Sequence, residues 1–537
     1  MKKFTFVLAA ALCAAMTMFA KQVTNLNPYA YGVKAEVDEG MIAVQYQLNA
    51  VADSTAIVVY CDGEEVGAKV AESNAKGLHT EVVDLSEYTK GGKYTVGIRV
   101  FGTSYDELTQ LKEVVDPENS PNDTTAVAYS FYHAKGVAID NNPFSENFGR
   151  LITDEAMFDT PDQGYHSSVD KQGLYAFAPD FTPIANGNAT AFKCGLTYNM
   201  YLANGINQSY APYRIRINKD GRIFVAMQDD QLDLIYEASA KLDTMIAVVA
   251  GANAKIDEMP AINASLDLKD NEDGSISLLT LNCNQKGVGF NNYGWELIEY
   301  TIAADGAVTS KVIMDTTALI SAIGYQKDVD PILGTADLAG KQWRTVLTRS
   351  NTQFQYAADG GYWFINSRSN AYEAQLAHIK ADGTWDMIMA KVDQTQEGSG
   401  DFYGGAGLIE RDGKIYVGMN RYSGSVGQLG VFSVDYTGAN TVVTYEKSYR
   451  AEAIGRNLND FAIDYANNMY TVGNSNEKII VFAMPYSGMV ETPVAAEVVI
   501  TGIENVKGDA KVQKIFRNGQ IIIVKDGVMY NALGAQL

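Results

Sequence analysis

The stretch that decides the fold is residues 460–485, DFAIDYANNMYTVGNSNEKIIVFAMP. A first β-rich run is followed by an Asn-rich turn, a second β-rich run ends in polar residues, and a third run follows at 478–485. Apolar residues that alternate with polar ones at a period of two are typical of strands with one buried face. The stretch therefore predicts three strands joined by short connections.

The order of strand, turn, strand and polar end recurs along the chain. It is found in GVAIDNNPFSENFGRLITDE (136–155), RIRINKDGRIFVAMQDD (214–230), SLDLKDNEDGSISLLTLNCN (265–284), FQYAADGGYWFINSRSN (354–370) and GLIERDGKIYVGMNRYS (407–423). Asp-Gly pairs occur at 220–221, 273–274, 305–306, 359–360, 382–383 and 412–413. Asp-Gly supplies the positive φ angles of a type I′ hairpin turn, so each pair predicts two antiparallel strands.

Units of three or four strands cannot bury their faces alone, so they must stack, and radial stacking gives a β-propeller. The six units between residues 131 and 490 predict six blades, or seven if residues 325–350 form another. A pair of independent sandwiches is the competing fold.

The stretch 460–485 resembles a blade of the NHL type, and RIRINKDGRIFVAMQ (214–228) resembles the first half of the same unit. The resemblance implies an NHL-like or senescence-marker-like propeller. These families include both binding modules and metal-dependent lactonases, so the resemblance does not choose an activity.

Residues 24–112 have six alternating runs separated by turns, beginning with AYGVKAEV and MIAVQYQL. Six or seven short strands in about 90 residues fit an immunoglobulin or fibronectin-III type sandwich, although the Cys and Trp signature of antibody domains is missing. Residues 113–130 are polar and contain two prolines, so we interpret them as a linker.

Both ends of the chain suggest export. Residues 1–20 have two lysines, an apolar run and a small residue at the end, as a secretory signal peptide does. In the C-terminal tail, residues 491–537, NGQIIIVKDGVMYNALG (518–534) resembles the sorting segments of the bacterial type IX secretion system. The alternative is a capping β-hairpin around Asp526-Gly527. We expect a secreted or outer-surface protein of a Gram-negative bacterium.

Composition excludes some classes of function. The formal net charge of -22 repels phosphate backbones, so nucleic acid is not expected as a partner. No later stretch has the roughly 18 consecutive apolar residues of a membrane helix. No P-loop, dinucleotide fingerprint, nucleophile elbow or zincin motif occurs.

Candidate site residues follow from the fold, because the strand ends of a propeller converge on its central channel. The aligned units place seven polar residues near the ends of their second strands: Asp154, Glu155, Gln228, Asp229, Asn366, Asn420 and Asn474. Their oxygens could hold Ca²⁺ in a lactonase-like site, or could only cap the strand ends. No cofactor is predicted, and Ca²⁺ is the open alternative.

Two further observations concern glycans. Arg368 and Arg421 lie just past the same strand ends and could bind carboxylates of an acidic sugar, or lie on the surface. A pair of carboxylates for glycoside hydrolysis could come from Glu155, Asp229 or Asp230, but the sequence gives no distance between them.

The sequence favours a non-enzymatic binding or adhesion protein whose propeller recognises a glycan or an extracellular protein. The alternative is a metal-dependent hydrolase or lyase, lactonase-like or acting on polysaccharides, with its site at the channel mouth. A purely structural component of the cell surface is a third hypothesis.

Overall fold

The computed structural model is built almost entirely of β-strands, with a short 3₁₀ turn at Leu85–Glu87. It describes residues 26–38, 40–88, 91–111, 134–155, 173–182, 184, 212–227, 235–249, 262–285, 293–315, 318, 352–366, 376–389, 402–421, 428–449, 457–474, 479–500, 512–517, 520–525 and 528–531. The chain forms two compact units. The terminal unit comprises residues 28–102 and 489–537, and the central unit comprises residues 1–27 and 103–488.

The terminal unit contains two sheets that share one apolar core. The first has the order β1-β2-β5, with β1 at Ala30–Asp38, β2 at Met41–Leu48 and β5 at Gly77–Asp84. The second has the order β30-β6-β3-β4, with β30 at Met489–Ile500, β6 at Gly92–Phe101, β3 at Ser54–Cys61 and β4 at Glu64–Val70. Tyr46 from the first sheet and Ile57 and Tyr94 from the second belong to the same buried cluster.

Strand β30 comes from the far end of the chain. The sequence pattern predicts a separate tail at residues 491–537. Instead, β30 pairs along β6, and the buried Thr492 donates a hydrogen bond to the carbonyl of Ala30 at 2.9 Å. Val494 contributes to the core of the unit. Such a pairing leaves no local signal in the sequence.

The last residues form a small sheet of their own. Strands β31 (Val512–Arg517), β32 (Gln520–Lys525) and β33 (Val528–Asn531) pair in that order. The hairpin expected around Asp526-Gly527 therefore has a third strand.

The central unit has six antiparallel sheets among its described residues, which we number I to VI. Sheet I consists of β8 (Val137–Ile139), β9 (Leu151–Glu155) and β10 (Gly173–Phe177). Sheet II consists of β11 (Arg214–Ile217), β12 (Ile223–Ala226), β13 (Ile235–Ala238) and β14 (Met245–Val249). Sheet III consists of β15 (Ile262–Asp270), β16 (Ile276–Gln285), β17 (Tyr293–Ile302) and β18 (Val308–Met314).

Sheets IV to VI follow in chain order. Sheet IV consists of β19 (Thr352–Tyr356), β20 (Tyr362–Asn366), β21 (Leu376–Ile379) and β22 (Trp385–Met389). Sheet V consists of β23 (Phe402–Arg411), β24 (Lys414–Arg421), β25 (Gln428–Asp435) and β26 (Val442–Tyr449). Sheet VI consists of β27 (Asn457–Ile463), β28 (Asn468–Asn474), β29 (Ile480–Ala483) and β7 (Thr109–Gln110).

The first strands of the six sheets contact one another in cyclic order, β8-β11-β15-β19-β23-β27, and β27 contacts β8 again. The central unit is therefore a propeller-like ring of sheets. Five apolar clusters fill the spaces between consecutive sheets from I to VI. Trp363 is fully buried in the cluster between sheets IV and V.

The junction between sheets VI and I also uses polar and aromatic contacts. The amide of Asn459 donates to the carbonyl of Ala134 at 2.8 Å, and the rings of Phe148 and Tyr465 meet edge to face at 5.1 Å. Strand β7 comes from the N-terminal side of the ring and forms the fourth strand of sheet VI. Both ends of the ring segment thus contribute to one sheet.

The predicted Asp-Gly turns are confirmed as links between antiparallel strands. The expected type I′ geometry holds at Asp412-Gly413, where both φ angles are positive. At Gly221, Gly274 and Gly360 only the glycine has a positive φ, which is typical of a type I turn followed by a left-handed residue. The aspartate instead accepts a hydrogen bond two residues ahead, as Asp273 does from the Ser275 N–H at 2.9 Å.

Candidate functional site

The candidate site lies at one edge of the ring, set by strand direction. In each sheet the turn between the first and second strands lies at one edge, which we call the turn edge. The starts of the first strands and the ends of the second strands lie at the opposite edge, the mouth edge, because neighbouring strands are antiparallel. Buried charged side chains of three strands meet at this mouth edge.

Asp154, in the second strand of sheet I, is fully buried. Its Oδ1 accepts hydrogen bonds from the N–H groups of Lys135 at 2.7 Å and Gly136 at 3.0 Å. Its Oδ2 has no hydrogen-bond partner among the described residues. Burial raises the pKa of Asp154 well above its usual value, and the nearby Glu155 acts in the same direction, while the two N–H groups and Arg214 oppose the shift. Burial therefore makes the protonated form of the Asp154 carboxyl group more favourable than it is in water.

Two cations lie beside this acid. The Nζ of Lys135 is 5.6 Å from the centre of the Tyr213 ring, and the guanidinium of Arg214 is 5.2 Å from the same centre. The Arg214 guanidinium also donates to the carbonyl oxygen of Lys135. All three side chains are buried, and with Asp154 and Glu155 they form what we call the mouth cluster.

A second charged group lies two residues further along β11. The Arg216 guanidinium pairs with both carboxylate oxygens of Asp460 at 2.7 and 3.0 Å, and its Nε is 3.5 Å from Asp267. Burial raises the pKa of Asp267, while Arg216 opposes the shift. These residues belong to sheets II, III and VI, so Arg216 joins first strands around the centre of the ring.

A third polar network connects sheets IV and V. The buried imidazole of His378 contacts Asp386 at 2.6 Å and Asp359 at 3.2 Å, and the Thr441 hydroxyl lies 3.0 Å from its Nδ1. Its ring packs against Trp363, with the ring centres 4.7 Å apart. Because it lies between packed sheets, this network has the character of a structural connection.

The structure places several predicted site residues at the mouth edge. Glu155, Asn366, Arg421 and Asn474 are the last residues of their second strands, and Asn420 is the last but one. Of these side chains, only that of Glu155 is described, and it is buried in the mouth cluster. Gln228, Asp229, Asp230 and Arg368 lie outside the described residues. The roles predicted for these residues therefore stay predictions.

Sequence reasoning missed Lys135, Tyr213 and Arg214, because it considered only the ends of second strands. These residues lie just before or at the start of the first strands β8 and β11, which meet the second-strand ends at the same edge. The signal was the antiparallel order of the strands itself.

No group of three or more His, Cys, Asp or Glu side chains suited to a metal ion occurs among the described residues. The side chains proposed for a Ca²⁺ ring lie outside that description, apart from those of Asp154 and Glu155. Within the same part of the chain, no helix has the length and apolar character needed to cross a membrane.

Neither a family model nor a curated protein matches the chain. Among solved structures, a structural genomics protein of unknown function from Bacteroides thetaiotaomicron is 11% identical, with 84% of this chain and 98% of that chain covered and a TM-score of 0.38. The polysaccharide lyase Uly1 is 10% identical, with 82% and 96% covered and a TM-score of 0.31. A thermostable family-43 glycoside hydrolase is 9% identical, with 57% and 92% covered and a TM-score of 0.31. Likenesses at this level assign neither a family nor an activity to the chain.

Proposed function

We propose that the protein is a glycan-cleaving hydrolase or lyase whose site is the mouth cluster of a six-bladed propeller. The observation that carries the proposal is Asp154, a buried carboxyl group whose pKa is raised and whose Oδ2 has no hydrogen-bond partner in the part of the chain that the structure describes. Strongly shifted ionisable groups are concentrated at functional sites, because catalytic acids and bases need pKa values that match their task.

The chemistry of Asp154 suits proton donation. Breaking a glycosidic bond requires a proton on the departing oxygen, and a carboxyl group kept protonated by burial can supply it. Oδ1 is fixed by two backbone N–H groups, so Oδ2 is the oxygen left to carry the proton. Glu155, the next residue, is the nearest second carboxyl group along the strand.

The side chains of the mouth cluster suit a glycan as the partner. Carbohydrate recognition uses charged side chains together with aromatic rings, and the mouth cluster contains two cations around Tyr213. The binding or adhesion protein favoured by the sequence would use the same edge without turnover. The hydrolase or lyase is preferred here because a binding site alone does not require a carboxyl group with a raised pKa.

The organisation around this site is part of the proposal. We propose that the terminal unit is an immunoglobulin-like or fibronectin-III-like sandwich, and that the chain is exported through its N-terminal signal and its C-terminal sorting segment. The cyclic contacts of the first strands and the pairing of β7 in sheet VI support the count of six blades.

The test is an activity screen of the purified full chain on neutral and acidic polysaccharides, with Asp154→Asn as the variant. Asn keeps an acceptor for the two N–H groups but cannot donate the proton. We expect kcat to fall at least about 100-fold, the usual size of an acid–base contribution, with little change in the melting temperature.

The matched control is Asp464→Asn. Asp464 is also a buried acid of the central unit, with its pKa raised by burial to about 6, but it lies in the β27–β28 turn at the turn edge. Its replacement should leave kcat unchanged. Full activity in Asp154→Asn would refute the role of Asp154, and glycan binding without cleavage would favour the binding protein. Repeating the screen with a chelator tests the metal dependence suggested by the sequence.

A further inference from the structure

His378, in strand β21, is a buried histidine that faces a carboxylate at each of its ring nitrogens. Its Nδ1 is 2.6 Å from Oδ1 of Asp386, its Nε2 is 3.2 Å from Oδ1 of Asp359, and its side chain is 0% exposed. A neutral imidazole has one N–H donor and one nitrogen with a lone pair, whereas an ionised carboxylate only accepts hydrogen bonds. Either neutral tautomer would therefore direct a lone pair at a carboxylate oxygen, and only the doubly protonated ring can donate to both.

The two aspartates are placed as acceptors. Oδ1 of Asp359 accepts from the Gly361 N–H at 2.9 Å. Oδ2 of Asp386 accepts from both the N–H and the hydroxyl of Thr441, each at 2.8 Å. Donors of this kind stabilise the ionised carboxylate. Because the Thr441 hydroxyl donates to Asp386, its oxygen, 3.0 Å from Nδ1 of His378, is a further acceptor for the ring.

Close packing holds the ring in this position. A Cβ atom at Gly361 would lie 3.0 Å from Nε2 of His378 and would collide with the carbonyl oxygen of Ile379, so a glycine there lets the β19–β20 turn approach the ring. The centres of the Trp363 and Tyr436 rings lie 4.7 and 5.5 Å from that of His378. Aromatic rings at such distances attract a cation.

Two other charged side chains belong to the same junction between sheets IV and V. Glu410 accepts hydrogen bonds from the Tyr436 hydroxyl at 2.6 Å and from Nε1 of Trp363 at 2.8 Å. Nζ of Lys380 donates to the carbonyl oxygen of Ala439 at 2.8 Å. These two charges therefore have their own partners, and the two aspartates are the groups placed to take protons from the histidine ring.

We propose that His378 is held as the doubly protonated cation between Asp359 and Asp386, and that its charge makes the contact between sheets IV and V sensitive to pH. Asp359, His378 and Asp386 belong to sheet IV, and Thr441 directly precedes β26 of sheet V. The contact thus depends on a side chain whose charge ordinarily changes near neutral pH. This inference is independent of the proposed activity.

Raising the pH should weaken this contact. A histidine in an unfolded chain loses its proton at about pH 6.5. Contacts that suit only the cation stabilise the folded chain below that pH, and their contribution is lost as the pH rises and the ring in the folded chain releases its proton. For one proton, the equilibrium constant for opening the junction can rise at most about ten-fold per pH unit.

The first test is ¹⁵N NMR of the full chain with labelled histidine, in which the signal missing from His378→Gln identifies the ring. At about pH 7.5, one unit above the ordinary histidine range, we expect both nitrogens of His378 to be protonated in the folded chain and one of them to be bare in urea. A bare nitrogen in the folded chain at this pH would overturn the inference.

Asp359→Asn assigns the charge to the pair of carboxylates. It keeps an acceptor for the Gly361 N–H but removes one carboxylate, so the ring of His378 should lose its second proton at about pH 7.5. The matched control is Asp382→Asn in the β21–β22 turn of the same sheet, where Asp382 accepts from the Thr384 N–H at 2.9 Å. The control should leave both nitrogens protonated. The same protonation in both variants would refute the role of Asp359.

Hydrogen exchange measured by mass spectrometry reports the opening of the junction itself. After correction for the intrinsic exchange rate, the opening constant of peptides from β22 and β26 should be at least about three-fold larger at about pH 8 than at about pH 6.5 in the wild-type chain. His378→Gln should lack this rise, and an equal rise in both chains would refute the pH sensitivity. If His378→Gln does not fold, Asp359→Asn, at a side chain that is 29% exposed, takes its place in both measurements.

Discussion

Replacing Arg216 with Met tests whether the centre of the ring is held by charge pairing. Arg216 forms two hydrogen bonds to Asp460, whose side chain is 0% exposed, and Asp460 also accepts from the Val137 N–H at 3.2 Å. The substitution would leave a buried carboxylate without its counter-ion. Breaking one side of a buried pair costs about 3–5 kcal/mol, so we expect the free energy of unfolding to fall by that amount.

The control on the neighbouring hairpin is Arg222→Met. Arg222 pairs with Glu237, but the two side chains are 36% and 22% exposed, and solvent screens such a pair. Exposed pairs contribute about 0–1 kcal/mol, which sets the expected loss for the control. Urea unfolding followed by tryptophan fluorescence measures both, since the buried Trp363 lies in the same unit.

A double variant separates pairing from packing. Arg216→Met with Asp460→Asn removes both charges, so it should recover part of the loss seen in Arg216→Met alone. A loss of unfolding free energy in Arg216→Met no larger than that in Arg222→Met would refute the role of this charge pair. So would a loss in the double variant that exceeds the two single losses added together.

Four further predictions concern stability. Asp154→Ala should cost about 2–4 kcal/mol, because two buried N–H groups lose their acceptor, whereas Asp154→Asn should cost far less. The pKa of Asp154 is raised in the folded state, so wild-type stability should fall as the pH rises from the pKa of the unfolded state to that of the folded state. The slope is at most about 1.4 kcal/mol per pH unit. The urea midpoints of Asp154→Asn should lack this slope. Burial raises the pKa of Asp386, but hydrogen bonds from His378 and Thr441 outweigh this effect, so the pKa is lowered overall. The stabilising effect of Asp386 should therefore be lost as the pH falls below the usual carboxyl range. Melting curves of Asp386→Asn should show a weaker acid dependence. Leu108→Ala should cost about 2–5 kcal/mol in urea unfolding, because this buried residue next to β7 packs in the cluster between sheets V and VI, while the exposed Leu78→Ala should change stability by less than about 0.5 kcal/mol.

The local part of the fold could be predicted from the sequence because its cause is local. An Asp-Gly pair fixes a tight turn through the glycine φ angle and the aspartate hydrogen bond, so the flanking strands follow from a few residues. Distant pairings have no such signal. Gln110 pairs with Phe482, and Val100 pairs with Val490, although neither partner is near in sequence. For that reason the predicted domain limits of 112 and 491 differ from the limits of the compact units, at 102–103 and 488–489.

The sequence predicts at which edge of the ring the candidate site lies, but not all of the side chains that form it. Aligned units place polar residues at the ends of second strands, and Glu155 does lie in the mouth cluster. Lys135 and Arg214 are buried, but in sequence they look like ordinary basic residues of a polar surface. Their burial depends on packing between sheets I and II, which the strand pattern of a single unit does not contain.

The position of Asp154 argues for function rather than for stability. The ring is already held by apolar clusters between sheets I to VI and by the Arg216–Asp460 pair, and neither includes Asp154. A buried carboxyl oxygen with no hydrogen-bond partner among the described residues costs stability, and Asp154 has one such oxygen beside the one that accepts from two N–H groups. The amide oxygen of an asparagine could equally accept the hydrogen bonds from the two N–H groups that donate to Asp154. What asparagine cannot provide is a proton, and the proposed activity depends on that difference.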